Sequence, residues 1–279
     1  MRSRRHFIKT AGTGILAAGV TGIYGRENSI VPDEKTGDAF TLGIAGYTFR
    51  EFTVEQAIQI MKRTTVSNLS LKDFHLPYNS TQEQINEVLQ KFKNAGLNVY
   101  ALGVIYMKTP EEVDQAFEYA RMAGVSMIVG APDYELLAQV EKKVKTHDIR
   151  LAIHNHGPDN PLYPNATDIW NHIKDLDSRI GICIDIGHTI RDGQDPAADI
   201  ERYRSRIYDL HIKDVDKASK EGKTVEMGRG IINIPEVISM LRKIRYSGKC
   251  SLEFEKDMKD PLPGIAESIG YWRGVMACG

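Results

Sequence analysis

From Phe40 onward the chain alternates between short apolar runs broken at every second residue and longer stretches whose apolar residues recur at helical spacing. Leu42 to Gly46, Asn68 to Leu71, Leu97 to Val104 and Ser126 to Gly130 predict strands; Thr53 to Arg63, Thr81 to Asn94, Thr109 to Ala123 and Asp133 to Thr146 predict the helices after them. Arg150 to His154, Ile180 to Asp185, Ile207 to Ile212 and Lys249 to Phe254 predict four further strands. Their helices are expected at Asn165 to Lys174, Ala197 to Arg204, Pro235 to Ile244 and from Gly264 onward. Val113, Phe117 and Ala120 share one helix face, as do Ile85, Leu89 and Phe92. Thr53 suits a helix cap, and Asn94-Ala95-Gly96 and Ala123-Gly124 read as helix ends. Eight such repeats predict an α/β protein, a single (β/α)8 TIM barrel over residues 39–279. An open doubly wound sheet competes, but no Gly-rich phosphate loop follows the first strand.

The first residues break this pattern. Ser3-Arg4-Arg5-His6-Phe7-Ile8-Lys9 followed by the apolar run Ala11 to Tyr24 has the twin-arginine export pattern, so residues 1–25 are expected to be a signal peptide and 26–38 a polar linker. The apolar run is too short for a membrane span of roughly 20 residues, and no cysteine follows it, so no stable membrane anchor is expected. Export implies the twin-arginine translocase as a transient partner and a periplasmic location.

The whole chain carries 36 basic and 37 acidic residues; without the four basic residues of the leader the remainder stands at about −5. A mildly acidic body argues against nucleic-acid binding. Cys183, Cys250 and Cys278 lie far apart without paired spacing, which indicates neither a disulfide framework nor a zinc knuckle.

Strand alternation then selects the chemistry. Four of the predicted strands carry, near their C-terminal ends and on the inward face, His154, Asp185, His211 and Glu253. Such groups left unpaired at a barrel mouth would cost several kcal/mol each; a divalent cation turns them into ligands. Two imidazoles with two carboxylates suit manganese first and zinc second, better than the all-oxygen shells of calcium or magnesium. The longer loops, Pro158 to Pro164, Thr189 to Pro196 and Val215 to Ile234, all follow strands and so belong to the same face.

The segments Asp185-Ile-Gly-His188, His211-Ile-Lys-Asp214 and Ser251-Leu-Glu253, with His154-Asn-His156 on the fifth strand, resemble the xylose isomerase-like TIM barrels described as sugar phosphate isomerases/epimerases. The likeness covers essentially all of Phe40 to Cys278, and its motifs speak for fold and metal rather than substrate. In that family the fifth-strand ligand is commonly a glutamate in a Glu-Asn-His segment, and the epimerases use two metal-bound glutamates on opposite faces of the sugar. Here His154 stands in that place. Glu253 is then the remaining carboxylate base, and His156 or His188 must supply the second proton-transfer group.

Accordingly, Glu253 and His156 are the expected catalytic residues, His156 with a pKa near neutrality as acid–base work favours. Lys72, His75, His188 and Lys213 are expected to bind substrate, with Tyr47, Phe49 and Tyr106 available for stacking on a sugar ring. The expected function is an exported, metal-dependent isomerase or epimerase of a neutral sugar or keto-sugar, working through an enediolate. A lyase that cleaves a glycoside or 3-keto glycoside by β-elimination is the alternative. A non-catalytic sugar-binding protein and an endonuclease IV-like phosphodiesterase rank lower, and a homo-oligomer is compatible with all of these.

Overall fold

The computed structural model describes residues 37–278; the leader and most of the linker lie outside the described residues. Strands β1 (Thr41–Ala45), β2 (Asn68–Leu71), β3 (Asn98–Met107), β4 (Met127–Pro132), β5 (Arg150–His154), β6 (Ile180–Asp185) and β7 (Ile207–Ile212) run parallel. A short antiparallel pair, β8 (Asp214–Val215) with β9 (Thr224–Val225), stands in the loop after β7. Strand β10 (Lys249–Leu252) pairs with β7 on one side and β1 on the other and closes the barrel.

Helices α1 (Val54–Thr64), α2 (Gln82–Asn94), α3 (Pro110–Ala123), α4 (Leu137–His147) and α5 (Ala166–Ile173) each follow their strand. Thr53 and Thr81 begin α1 and α2 with reciprocal capping boxes to Gln56 and Gln84. Pro110 takes the first turn of α3, where its missing N–H costs nothing. Helices α6 (Ile186–Arg191) and α7 (Pro196–Arg202) both lie between β6 and β7; α8 (Ile234–Lys243) and α9 (Leu262–Cys278) complete the outer ring.

The period-two alternation sorts side chains into two cores. Leu151, Ile153, Ile182 and Ile184 join the large apolar layer between sheet and helices, each burial contributing roughly 1.5–3 kcal/mol. Ala101, Val104, Met127, Val129, Ala152 and Cys183 fill the barrel interior. Beside that interior cluster the Tyr100 hydroxyl donates to Asp209 Oδ2 at 2.7 Å and meets Ser251 Oγ at 2.6 Å.

Two strand ends near the site and one helix differ from the sequence-based expectation. Strand β3 continues to Met107, because Ile105 and Met107 are buried in the layer between sheet and helices while Tyr106, 43% exposed, turns to the barrel mouth. The last strand stops at Leu252, and Glu253 and Phe254 follow it in the loop. Helix α6 was not expected: it forms because the Asp185 side chain accepts the His188 N–H at 2.7 Å and caps it.

Candidate active site

The strand ends bring His154, Asp185, His211 and Glu253 to one point. Register makes this inevitable: Asp185 pairs with His211 across β6 and β7, and Ser251 with His211 across β7 and β10. All four are at least nine-tenths buried. His154 Nε2 lies 3.1 Å from His211 Nδ1 and 3.6 Å from Asp185 Oδ2, and His211 Nδ1 lies 3.5 Å from Glu253 Oε1. Donors around one cation with bonds near 2.1 Å stand about 3.0–3.4 Å apart, so the set fits a divalent ion. Asp185 Oδ2 is buried with no well-aligned hydrogen bond, facing His154 Nε2 at 3.6 Å and Lys213 Nζ at 3.1 Å, so a lone pair is open to a ligand role. Burial lowers the His154 pKa, keeping a neutral imidazole with a free lone pair.

Charge balance points the same way. Lys213 Nζ reaches Glu255 Oε1 at 2.6 Å, Glu253 Oε2 at 2.8 Å and Asp185 Oδ2 at 3.1 Å. Against burial, which pushes both pKa values up, this ammonium holds the Asp185 and Glu253 carboxyls well below the usual carboxylate range. Besides Lys213, the three carboxylates meet the His211 imidazole, whose pKa Cys183 and Glu253 raise against burial; a divalent ion bound here would take the place of that proton and add positive charge. Lys213 reaches the site past Gly187, where a Cβ would overlap the lysine's Cγ and Cδ.

A cavity of about 400 Å³ opens above this group, lined by Tyr47, Lys72, Phe74, Tyr106, His154, His156, His188, Glu253 and Glu255 among others. His156 Nε2 is 2.8 Å from the Tyr106 hydroxyl. Its pKa differs from the near-neutral value expected: burial, reinforced by the His154 and His188 imidazoles, lowers it to about 3. His156 is therefore a neutral base at physiological pH, with the Tyr106 hydroxyl as its attached proton donor or acceptor. Burial likewise lowers His188 to about 4. Arg191 Nη1 lies 3.1 Å from His188 Nδ1; guanidinium only donates, so the neutral His188 ring carries its proton on Nε2. Arg191 is itself held by Asp159 and the Lys220 carbonyl.

Lys72 lines the cavity while its Nζ donates to the Val104 carbonyl at 2.7 Å and pairs with Asp73 at 2.8 Å. His75 does not face this cavity. Its Nε2 donates to the Phe52 carbonyl at 2.9 Å, and the ring borders a separate recess with Arg50 and Glu51. Phe74, 47% exposed, takes the mouth position instead, 5.9 Å from the Tyr47 ring. The loop Lys72–Pro77 turns one side chain in and the next out, so the expectation for His75 fails by one residue. Phe49 is fully buried and unavailable for stacking. Tyr106 as partner of His156, Arg191 behind His188 and Glu255 on Lys213 are further members of the site. Only Glu255, two residues from Glu253 on the same face, carried a periodic signal for its place.

The Xylose isomerase-like TIM barrel family model matches residues 46–275. Among curated proteins, the chain is 25% identical over 150 residues to a rhizopine catabolism protein, MocC, of Rhizobium meliloti (48% of this chain, 46% of that protein). It is 27% identical over 138 residues to an inosose dehydratase of Clostridium beijerinckii, covering 44% of each. The chain thus spans about half the length of the curated relatives it matches. A crystal structure of an uncharacterized protein from Parabacteroides distasonis is 25% identical, with a TM-score of 0.68 over 86% of this chain and 100% of that one. With the family pattern running from the end of β1 into α9 and the barrel closed as that pattern requires, the chain belongs to the xylose isomerase-like TIM barrel family.

Proposed function

We propose that the protein is an exported, metal-dependent isomerase or epimerase acting on a neutral sugar or keto-sugar through an enediolate. The observation that carries this reading is the convergence of Glu253, His156 and His188 on one cavity directly above four ligand-type side chains. A manganese ion, or zinc second, held by His154, Asp185, His211 and Glu253 would supply Lewis-acid polarisation of adjacent substrate oxygens. His188 Nε2–H holds a hydroxyl or carbonyl oxygen, while Lys213, expected from the sequence to bind substrate, is instead engaged by Glu255, Glu253 and Asp185 and steadies those carboxylates. Tyr47 and Phe74 cover the apolar face of a ring. Glu253 or His156 takes the proton from the carbon beside the carbonyl, and the other returns one.

The two proton-transfer groups are unlike. Glu253 is a carboxylate held ionised by Lys213, whereas His156 is a neutral imidazole tied to a phenol. That asymmetry favours a second reading, β-elimination, in which one group removes a proton and the Tyr106–His156 pair protonates the departing oxygen. A relative named inosose dehydratase supports it. The periplasm, reached through the twin-arginine leader, is a place for neutral rather than phosphorylated sugars, in keeping with the absence of a dedicated phosphate loop in the sequence.

Incubating the manganese-loaded protein with free ketoses, inososes and 3-keto glycosides in D₂O tests both. Deuterium at the carbonyl-adjacent carbon with the carbon skeleton and substituents intact supports the isomerase; loss of water or aglycone supports elimination. No exchange and no product with any of these removes the enediolate reading.

A further inference from the structure

Beneath the four-ligand group stands one inward donor that the proposed reaction does not use, Cys183. Cys183 stands two residues before Asp185 on the inward face of β6, so it occupies the layer below, about 7 Å down the strand. The β5–β6 register places His154 directly opposite Cys183. The Cys183 thiol and one ring nitrogen from each of His154 and His211 lie within 4.8 Å of one another, and all three residues are almost completely buried. His154 Nδ1 and His211 Nε2 are buried with no hydrogen-bond partner. A ring that binds a metal through one nitrogen ordinarily donates the other N–H to an acceptor; here His154 Nδ1 has no such acceptor, and the His211 ring interacts with the Cys183 thiol itself.

We propose that Cys183, His154 and His211 form a second, lower cation position selective for thiophilic ions such as zinc, cadmium or copper(I). Metal–sulfur and metal–nitrogen bonds of about 2.3 and 2.0–2.1 Å place such donors about 3.5 Å apart, so the side chains close on the ion by about half an ångström each. The thiol loses its proton to solvent as the metal–sulfur bond forms. Manganese, with little affinity for sulfur, stays in the upper position with Asp185 and Glu253. The two positions share the His154 and His211 rings, and two cations held that close repel, so a thiophilic ion in the lower position disfavours manganese in the upper one.

This inference rests on the metal centre proposed above, and the experiment separates the two. The metal-free whole protein is titrated with cobalt(II) and watched for the sulfur-to-cobalt charge-transfer absorption in the near ultraviolet; cadmium and manganese affinities are measured by calorimetry. The wild type is expected to show the sulfur band. Cys183→Ala is expected to lose it and to bind cadmium about 10–100-fold more weakly, with manganese affinity within a few-fold. Glu253→Gln is expected to do the reverse, keeping the band and weakening manganese about 10–100-fold. If the alanine variant does not fold, Cys183→Ser gives the same readout. Manganese binding without a sulfur band in the wild type, or a band that survives in the Cys183 variants, overturns the lower position alone. Absence of binding by any of the three ions overturns both sites.

Discussion

Lys213 Nζ sits 2.8 Å from Glu253 Oε2, while the other oxygen of the same carboxylate stands 3.5 Å from His211 Nδ1. One buried ammonium thus leans on a ligand carboxylate from the side away from the imidazoles. Lys213→Met removes the ammonium that pairs with Asp185, Glu253 and Glu255 together. Breaking a buried ion pair from one side costs about 3–5 kcal/mol, so the metal-free variant is expected to melt well below the wild type. Added manganese should raise its melting temperature by more than it raises that of the wild type. Equal metal-induced shifts in the two proteins would sink the charge-balance argument.

The proposed function gives the Tyr106–His156 pair a part in turnover. His156→Ala is expected to lower kcat by about 10²–10⁴-fold, the usual contribution of a positioned acid or base. Tyr106→Phe removes one hydrogen bond and is expected to cost about tenfold. Steady-state kinetics on whichever substrate the D₂O screen identifies provides the check; a rise in KM with kcat intact would reassign both residues to binding.

Removing the metal should be reversible and structural as well as catalytic. Chelation is expected to abolish exchange and lower the melting temperature, and manganese to restore both. His154→Ala and Asp185→Asn are each expected to weaken manganese binding by at least an order of magnitude, measured by calorimetry. Manganese affinity unchanged in both would remove these residues from the ligand set.

Away from the site, Asp199 on α7 gives a pH signature. Burial, helped by Asp195 and Asp192 and opposed by Arg202, raises its pKa from 3.8 to about 6, and its Oδ2 has no hydrogen-bond partner. The folded form therefore holds a proton that the unfolded chain releases. Its stabilising contribution is complete below about pH 3.8 and fades as pH rises through about 6. Asp199→Asn should be neutral at pH 4 and more stable than wild type by about 1–2 kcal/mol at pH 8, after allowing for solvent screening of the shift. Urea unfolding at both pH values decides it, and an equal difference at each would exclude this titration as the cause.

Export is tested at the leader. Replacing both Arg4 and Arg5 by lysine is expected to retain the full-length chain in the cytoplasm, read by fractionation of a producing cell with a twin-arginine system. Unaltered appearance in the periplasm would count against the leader assignment.

Much of this molecule was readable in its sequence because the barrel repeats a simple rule. Alternation along β5 and β6 separated Leu151, Ile153, Ile182 and Ile184 from His154, Cys183 and Asp185, and the closed architecture then required the inward residues to meet. What the sequence withheld depended on loop geometry, where no period applies. The turn after β2 faces Phe74 to the cavity and His75 to the Phe52 carbonyl, and nothing in the order of those residues says which. The His156 pKa departs from the near-neutral expectation for a related reason: residues distant in sequence, His154, His188 and Tyr106, surround the ring.

Asp185 is shared between the site and the helix that follows. Its Oδ1 receives the His188 N–H at 2.7 Å, while its Oδ2 faces the imidazoles. A carboxylate gripped at one oxygen cannot spin about its last bond, so its torsional freedom is already spent in folding and does not oppose ion capture. The same grip would make it a one-oxygen ligand, leaving more of a bound ion's coordination sphere to substrate. It also ties the direction of that oxygen to the first turn of α6, so any displacement of His188 by a ligand would carry over to the proposed ion position through a single side chain.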